Sequence, residues 1–373
     1  MEGSVAQRHF RVPDGTRIAY RVLGPVDAPA LVLCDGIACD GFAWTHMIDE
    51  LASRYRILHS HHRGHGRSGL PRRLDDVTIP HLVEDIVALM QHVNMSEATF
   101  VGHSMGCQVT LEMAWRYPER VRAGVLLCGA HGRPLDTFRN SDVGYKVLPR
   151  IQDFIQRFGA QVTPALRWLV PTRLAYEVAA FSEIDRDRTP PEAMQGYLDH
   201  LSRLPHDAFL LTLRDAAERV SSHLWSAIEQ PMLLMPAERD GFTPVHTTDP
   251  LREGLPNAEY TLIPSGTHVA PVEFPKFILR RFHRFAAARA KARAFSVIVV
   301  RRVHQDSCEG KRVHRAQKVL TTMRRGRGVG IGRFKDRRKQ KERFKGAGDK
   351  QKAASAKHVG DFPTPSCWQT IIR

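Results

Sequence analysis

A serine flanked two residues away on each side by glycine, Gly102-His103-Ser104-Met105-Gly106, is the segment of this chain best suited to covalent chemistry. It follows an apolar, strand-like run, Ala98-Thr99-Phe100-Val101, and opens a helix-like one from Cys107 to Ala114. That context defines a nucleophile elbow, a strained turn that presents the serine hydroxyl while the glycines allow close backbone approach. The helix beginning there aims unpaired N–H groups and the positive end of its dipole at the place where an oxyanion would form. Met105, immediately after the serine, is the first candidate donor.

Serine is a weak nucleophile at neutral pH and needs an adjacent base, itself oriented by an acid. The segment from Met235 to Pro244 leaves a strand-like run with carboxylates at Glu238 and Asp240. Farther on, Ile263-Pro264-Ser265-Gly266-Thr267-His268 places His268 on a loop after the last strand. The order serine, acid, histidine suits a sheet that displays all three at the carboxyl ends of its strands. Spacing alone leaves both Glu238 and Asp240 open as the acid.

The elements that must carry these residues follow from hydrophobic patterning. Phe10–Val12 and Thr16–Val22 flank the turn signal Pro13-Asp14-Gly15 and read as a hairpin. Ala30–Leu33 is wholly apolar, as a strand buried on both faces would be, and Tyr55–His59 is a further strand. Residues 79–93 have apolar positions at helical spacing, and a strand is expected at 123–128. Residues 132–227 contain amphipathic helical stretches, at 143–158, 164–180 and 207–220, without a convincing strand. Strands resume at 231–235 and 258–263, and a helix from about 273 to 293 closes the pattern. The alternation predicts an α/β protein: a doubly wound, mostly parallel sheet at 1–131 and 228–293, with a helical cap inserted at 132–227.

The net charge of +16 is unevenly placed. Residues 287–373 hold 24 of the 55 Lys and Arg but only 6 of the 39 Asp and Glu, which leaves residues 1–286 at −2. The tail at 294–373 is basic, interrupted by glycine and poor in apolar residues, a composition expected to stay poorly ordered. It offers electrostatic contact with nucleic acid or an anionic surface. Its lysine-rich character, against an arginine-dominated remainder, favours reading it as a non-adaptive extension. Met1–Arg8 has no apolar run of the secretory kind, no run approaches the ~20 residues of a membrane span, and the six cysteines show no framework spacing. A reduced, cytoplasmic protein is expected.

Taken with the elbow, the segments Arg63-Gly64-His65-Gly66-Arg67-Ser68, Glu238–Pro244 and Gly266-Thr267-His268 give the chain a clear resemblance over residues 9–286. It resembles the α/β-hydrolase superfamily, in its capped esterase, lipase and C–C hydrolase branch. The resemblance implies Ser104 as nucleophile, His268 as general base and Asp240 as orienting acid, because the family's acid is second in such a Glu-x-Asp pair. It implies an oxyanion hole from the backbone N–H groups of Met105 and of Ile37, the residue after Asp35-Gly36. Neither cofactor nor metal is implied, and the family's epoxide hydrolases and dehalogenases use aspartate where this chain has Ser104.

Two departures stand out. The family usually has His-Gly where this chain has Asp35-Gly36, which sets a carboxylate beside a developing negative charge unless it is neutralised or turned away. It generally has aspartate where this chain has His61, within a cluster of His59, His61, His62 and His65. No cysteine or acid completes a metal-ligand spacing there, so the cluster reads as structural or solvent-facing. His103 reads as a packed, hydrogen-bonded residue without a catalytic role, and Cys107 as a small packing residue. The function expected is a serine hydrolase acting on an ester, thioester or lactone of a small to medium acyl substrate. Alternatives on the same residues are a C–C bond hydrolase, a cofactor-free perhydrolase, or a small-ligand binder with a vestigial triad.

Overall fold

Alternation along the apolar strands divides their side chains between two separate cores. Leu31 and Leu33 enter one cluster and Val32 the other; Val101 opposes Phe100, and Leu233 and Met235 oppose Met232 and Leu234. Strands covered on both faces in this way must be apolar throughout, which is why these runs carry no polar alternation. The computed structural model describes residues 7–129 and 150–289, apart from 151–152, 155–156, 159–160, 162–163, 166 and 183. The basic tail and the stretch 143–149 of the first expected cap helix lie outside the described residues.

The sheet has eight strands: β1 (Arg8–Arg11), β2 (Arg17–Leu23), β3 (Ala30–Cys34), β4 (Arg56–Ser60), β5 (Ala98–His103), β6 (Val121–Leu127), β7 (Met232–Met235) and β8 (Ala258–Tyr260). They lie in the order β1-β2-β4-β3-β5-β6-β7-β8, and all neighbours from β4 onward pair in parallel. The β1–β2 hairpin pairs antiparallel within itself and onto β4, bringing Arg21 opposite His59.

Helix α1 (Ile48–Ala52) and helical residues 275–289 cover one face, where Leu51, Leu279, Phe282 and Phe285 are buried. Helices α2 (Ile79–His92) and α3 (Met105–Arg116) cover the other. The closing helix is not continuous from 273. A short turn, Ala270–Glu273, ends at Phe274, because Pro275 disfavours helical backbone in the residue before it. β8 is shorter than the expected 258–263, although Ile263 still bonds to Pro236 and bridges Ala237. Pro236 has no N–H to return, and that interrupts the ladder.

Between β6 and β7 the described elements are helical: α4 (Arg173–Ser182), α5 (Pro191–Arg203) and α6 (His206–Glu218). Tyr176, Ile184, Met194 and Leu198 form a small core of their own, packed on Phe42 and Val269. Helix α6 instead joins the main layer: Asp215 accepts the Ile79 N–H at 2.7 Å, and Gln108 donates to the Ala216 carbonyl at 3.1 Å. Among the described residues no helix is long and apolar enough to cross a membrane.

Candidate active site

The strand order reverses direction at β3 and β5: the chain leaves β3 toward β4 on one side and β5 toward β6 on the other. Their loops diverge and open a crevice at the carboxyl edge, where ligands bind in open α/β sheets. The elbow stands there. Ser104 has φ 55° and ψ −121°, a left-handed backbone that a non-glycine residue adopts only when its surroundings impose it. The imposition is visible in the neighbours. A Cβ on Gly106 would fall 2.1 Å from the Cys34 carbonyl oxygen, and one on Gly102 would fall 2.2 Å from that of Gly106. The Ser104 N–H donates to Leu127 at 3.0 Å, tying the turn to β6.

Ser104 occupies the N-cap position of α3, yet its hydroxyl makes no capping bond. It lies 3.0 Å from Nε2 of His268, a residue 164 positions away. Nδ1 of His268 lies 3.0 Å from each carboxylate oxygen of Asp240. Asp240 is buried and held by three further donors: the N–H groups of Phe242 (2.9 Å) and Thr243 (2.8 Å) reach Oδ1, and the Thr243 hydroxyl (2.7 Å) reaches Oδ2. Glu238 is not part of this arrangement. It is exposed, and its Oε2 accepts the Ser265 N–H at 2.8 Å.

Two further residues hold the histidine's loop: His103, read from the sequence as packed and hydrogen-bonded, and Glu273, which the sequence did not single out. His103 bonds through Nε2 to the His268 carbonyl at 2.9 Å, and burial, with His268 beside it, pushes its imidazole down to about 4. It is therefore neutral and donates. Glu273, also buried, accepts from the Thr267 N–H (2.8 Å), the Thr267 hydroxyl (2.6 Å) and the Asp185 N–H (3.0 Å). It thereby links the His268 loop to the inserted helices. The ring of Phe242 sits 4.9 Å from that of His268 and remains 41% exposed, so one wall of the crevice is apolar and open.

Met105 begins α3, and Ile37 follows Gly36, where an added Cβ would lie 3.1 Å from that of Ser104. Asp35 is fully buried and its carboxylate is engaged elsewhere than at the crevice. Oδ1 accepts from the Trp44 indole at 2.5 Å, and Oδ2 lies 2.9 Å from His59 Nε2. Burial alone would raise its carboxyl, but His59 against it, with His62 and His61 behind, more than offsets that and holds it well below the usual carboxylate range.

The other histidines of the cluster are buried rather than solvent-facing. His61 accepts the Arg67 N–H at 2.9 Å, His62 reaches the Asp35 carbonyl at 3.0 Å, and His65 reaches that of Arg63 at 3.1 Å. Burial pushes His61 and His65 down to about 3. Among the described residues no group of three or more His, Cys, Asp or Glu is disposed to hold a metal ion. The Cys107 thiol is buried, lies 3.4 Å from the Gly102 and Leu127 carbonyls, and is pushed up by burial, so it is inert.

The sequence model of the alpha/beta hydrolase fold matches residues 29–275, and the chain belongs to that family of enzymes. It is 27% identical over 271 residues to a putative carbamate hydrolase, RutD, of Rhizobium rhizogenes, covering 72% of this chain and 96% of that one. Among solved structures it resembles the enol-lactonase of Burkholderia xenovorans, with a TM-score of 0.62 and 20% identity over 75% of this chain and 100% of the other. It also resembles a thermophilic esterase from Thermogutta terrifontis, with a TM-score of 0.61 and 19% identity over 76% and 99%.

Proposed function

We propose that this protein is a serine hydrolase that cleaves an ester, thioester or lactone of a small to medium acyl substrate through a covalent acyl-enzyme. The reading rests on one observation: a hydroxyl, an imidazole and a buried carboxylate in series, with both links at 3.0 Å. The Asp240 carboxylate can only accept, so His268 carries its proton on Nδ1 and leaves Nε2 free to take the one from Ser104.

Attack by the Ser104 oxygen on the acyl carbon opens the carbonyl to a tetrahedral oxyanion, and the serine proton passes to Nε2. The N–H groups of Met105 and Ile37 are the donors proposed for that oxyanion. Collapse expels the alcohol, thiol or lactone oxygen, which takes the proton from Nε2. Water, deprotonated by the same nitrogen, then releases the acid and restores the serine. The segment 132–227 is proposed as a cap over this crevice, between core segments 1–131 and 228–293. The apolar contact of α4 and α5 with Phe42 and Val269 supports that division, while α6 within it packs on the main layer. Buried free thiols at Cys34, Cys39, Cys107 and Cys128 suit a reducing, cytoplasmic setting.

The test is labelling by a fluorophosphonate probe together with turnover of a chromogenic ester series. Wild type should be labelled at Ser104. Ser104→Ala should remain folded, take no label and lose at least about 10³ in turnover. A folded wild type that resists the probe and hydrolyses no ester, or a Ser104→Ala variant that keeps its turnover, would overturn the reading.

A further inference from the structure

Asp35 stands at the start of the loop that carries Ile37, and Trp44 stands at its end. The indole N–H of Trp44 donates to Asp35 Oδ1 at 2.5 Å and closes that loop across nine residues. His59 reaches the other oxygen from β4 at 2.9 Å, while His62 donates from Nε2 to the Asp35 carbonyl at 3.0 Å. The loop is pressed onto the His59 ring: a Cβ on Gly41, which has φ 104°, would lie 2.9 Å from its Cε1. Behind His59 stands Arg21, its partner across the β2–β4 pairing, with Nε 3.2 Å from His59 Nδ1.

Donor chemistry gives this chain of contacts a direction. A guanidinium N–H only donates, so His59 Nδ1 accepts and carries no proton. The ring's proton is therefore on Nε2, where it donates to Asp35, and an indole N–H likewise only donates. Every side-chain contact to Asp35 needs an acceptor at both oxygens, a demand that a carboxylate meets and a carboxamide does not.

We propose that Asp35 is a positioning residue for oxyanion stabilisation: the terminal acceptor of a buried donor chain, Arg21 to His59 to Asp35, that staples both ends of the Gly36–Ala43 loop and so fixes the Ile37 N–H opposite Ser104. This rests on the serine-hydrolase reading above. It makes the acid at this position a support for the site, acting through the loop without touching the substrate.

The carboxamide of an Asp35→Asn variant must turn its oxygen to Trp44 and its NH2 to His59. That forces His59 to accept at Nε2 and to carry its proton on Nδ1, where it meets the Arg21 N–H head on. The full-length Asp35→Asn variant should lose about ten- to a hundredfold in kcat, with KM within threefold, and be phosphonylated more slowly to the same degree. Arg21→Gln, whose amide still donates to His59, should lose less than about threefold. Asp35→Asn combined with Arg21→Gln should recover most of the loss, because the introduced glutamine can turn its carbonyl to accept the displaced proton. Nitrogen-15 NMR of the imidazoles should show His59 protonated on Nε2 in wild type and on Nδ1 in Asp35→Asn.

Circular dichroism at the assay temperature establishes that each variant is folded. If Asp35→Asn does not fold, Trp44→Phe, which keeps a flat ring but removes the donor, carries the kcat comparison and should lose at least about fivefold. A labelled, active wild type whose Asp35→Asn variant keeps kcat within twofold, or whose loss is not rescued by Arg21→Gln, overturns the positioning role alone. So does a wild-type His59 protonated on Nδ1. A folded wild type that fails to react with the fluorophosphonate overturns the serine-hydrolase reading instead, and the role of the loop falls with it.

Discussion

Replacing Asp240 by Asn changes one atom, and its cost follows from the bonds that atom makes. Oδ1 accepts two backbone N–H groups, from Phe242 and Thr243, so the amide oxygen must occupy that position or face two donors with a third. The NH2 then falls at Oδ2, toward the Thr243 hydroxyl, which can rotate to accept, and toward His268 Nδ1. Nδ1 lies 3.0 Å from both positions, so it now faces an NH2 donor beside an oxygen already shared by two N–H groups, and the balance shifts toward the tautomer with its proton on Nε2. That nitrogen can no longer take the proton of Ser104. A wrong tautomer of this kind costs about 10³–10⁴ in turnover, or about 4–5.5 kcal/mol in barrier.

Glu238 provides the control on the same loop. A glutamine there can still accept the Ser265 N–H through its amide oxygen, so Glu238→Gln should lose no more than about threefold. The assay is kcat/KM on a p-nitrophenyl ester, with active sites counted by fluorophosphonate titration and the fold checked by circular dichroism. A Glu238→Gln loss exceeding that of Asp240→Asn would refute the reasoning and make Glu238 the orienting acid.

Gly106→Ala should abolish labelling and cost several kcal/mol, on the order of an overpacked core position, because its Cβ would meet the Cys34 and Asp35 carbonyl oxygens at 2.1 and 2.9 Å; urea unfolding checks it, and an unchanged midpoint would be contrary. Arg63→Met removes the partner of buried Asp85, which it holds through two bonds of 2.8 and 2.6 Å, and should lose about 3–5 kcal/mol. The double variant with Asp85→Leu should lose less, as measured by the same unfolding experiment. Stability should also fall with pH. Burial pushes His61 and His65 to about 3 and His103 to about 4, so below their ordinary 6.5 the unfolded chain takes up protons that the fold refuses. Asp85, pushed up to about 6 by burial, binds a proton in the fold below that pH and offsets only one of these. A urea midpoint that stayed flat or rose from about pH 7 to about pH 5 would contradict buried, neutral imidazoles.

What could be read from the sequence was what is encoded locally. The elbow is one strand, one turn and one helix, and its glycines lie within two residues of the serine. The β1–β2 hairpin is likewise announced by its turn and its apolar runs. Between Glu238 and Asp240 spacing could not choose; that Asp240 stands beside His268 depends on a tight turn through Thr243 visible only in the folded loop. The supports of His268 were hidden for a related reason. His103 reaches a carbonyl 165 residues away, and Glu273 looks like an ordinary helical acid until Thr267 is placed beside it. Asp35 appeared a hindrance because its position in the chain was known and its direction was not. Helix Pro191–Arg203, with Gly196 in mid-span and only a few apolar side chains, shows its inward face chiefly through its partners Phe42 and Tyr176.

The long insertion also bears on how the site comes into being. β6 and β7 are hydrogen-bonded neighbours, yet roughly a hundred residues separate them, and closing so large a loop costs about 2 kcal/mol more than a crossover a tenth as long. Strands β1 to β6 pair with one another through shorter connections, the longest being the roughly sixty residues between β3 and β5. Pairing of β7 onto β6 thus carries the largest loop-closure cost, and β7 with β8 beside it are the strands that bring Asp240 and His268. A chain that has folded only as far as β6 possesses the serine turn but neither of the residues proposed to activate it. On the serine-hydrolase proposal, acquisition of reactivity is coupled to completion of the sheet, and a nascent or partly folded molecule would carry an unactivated serine.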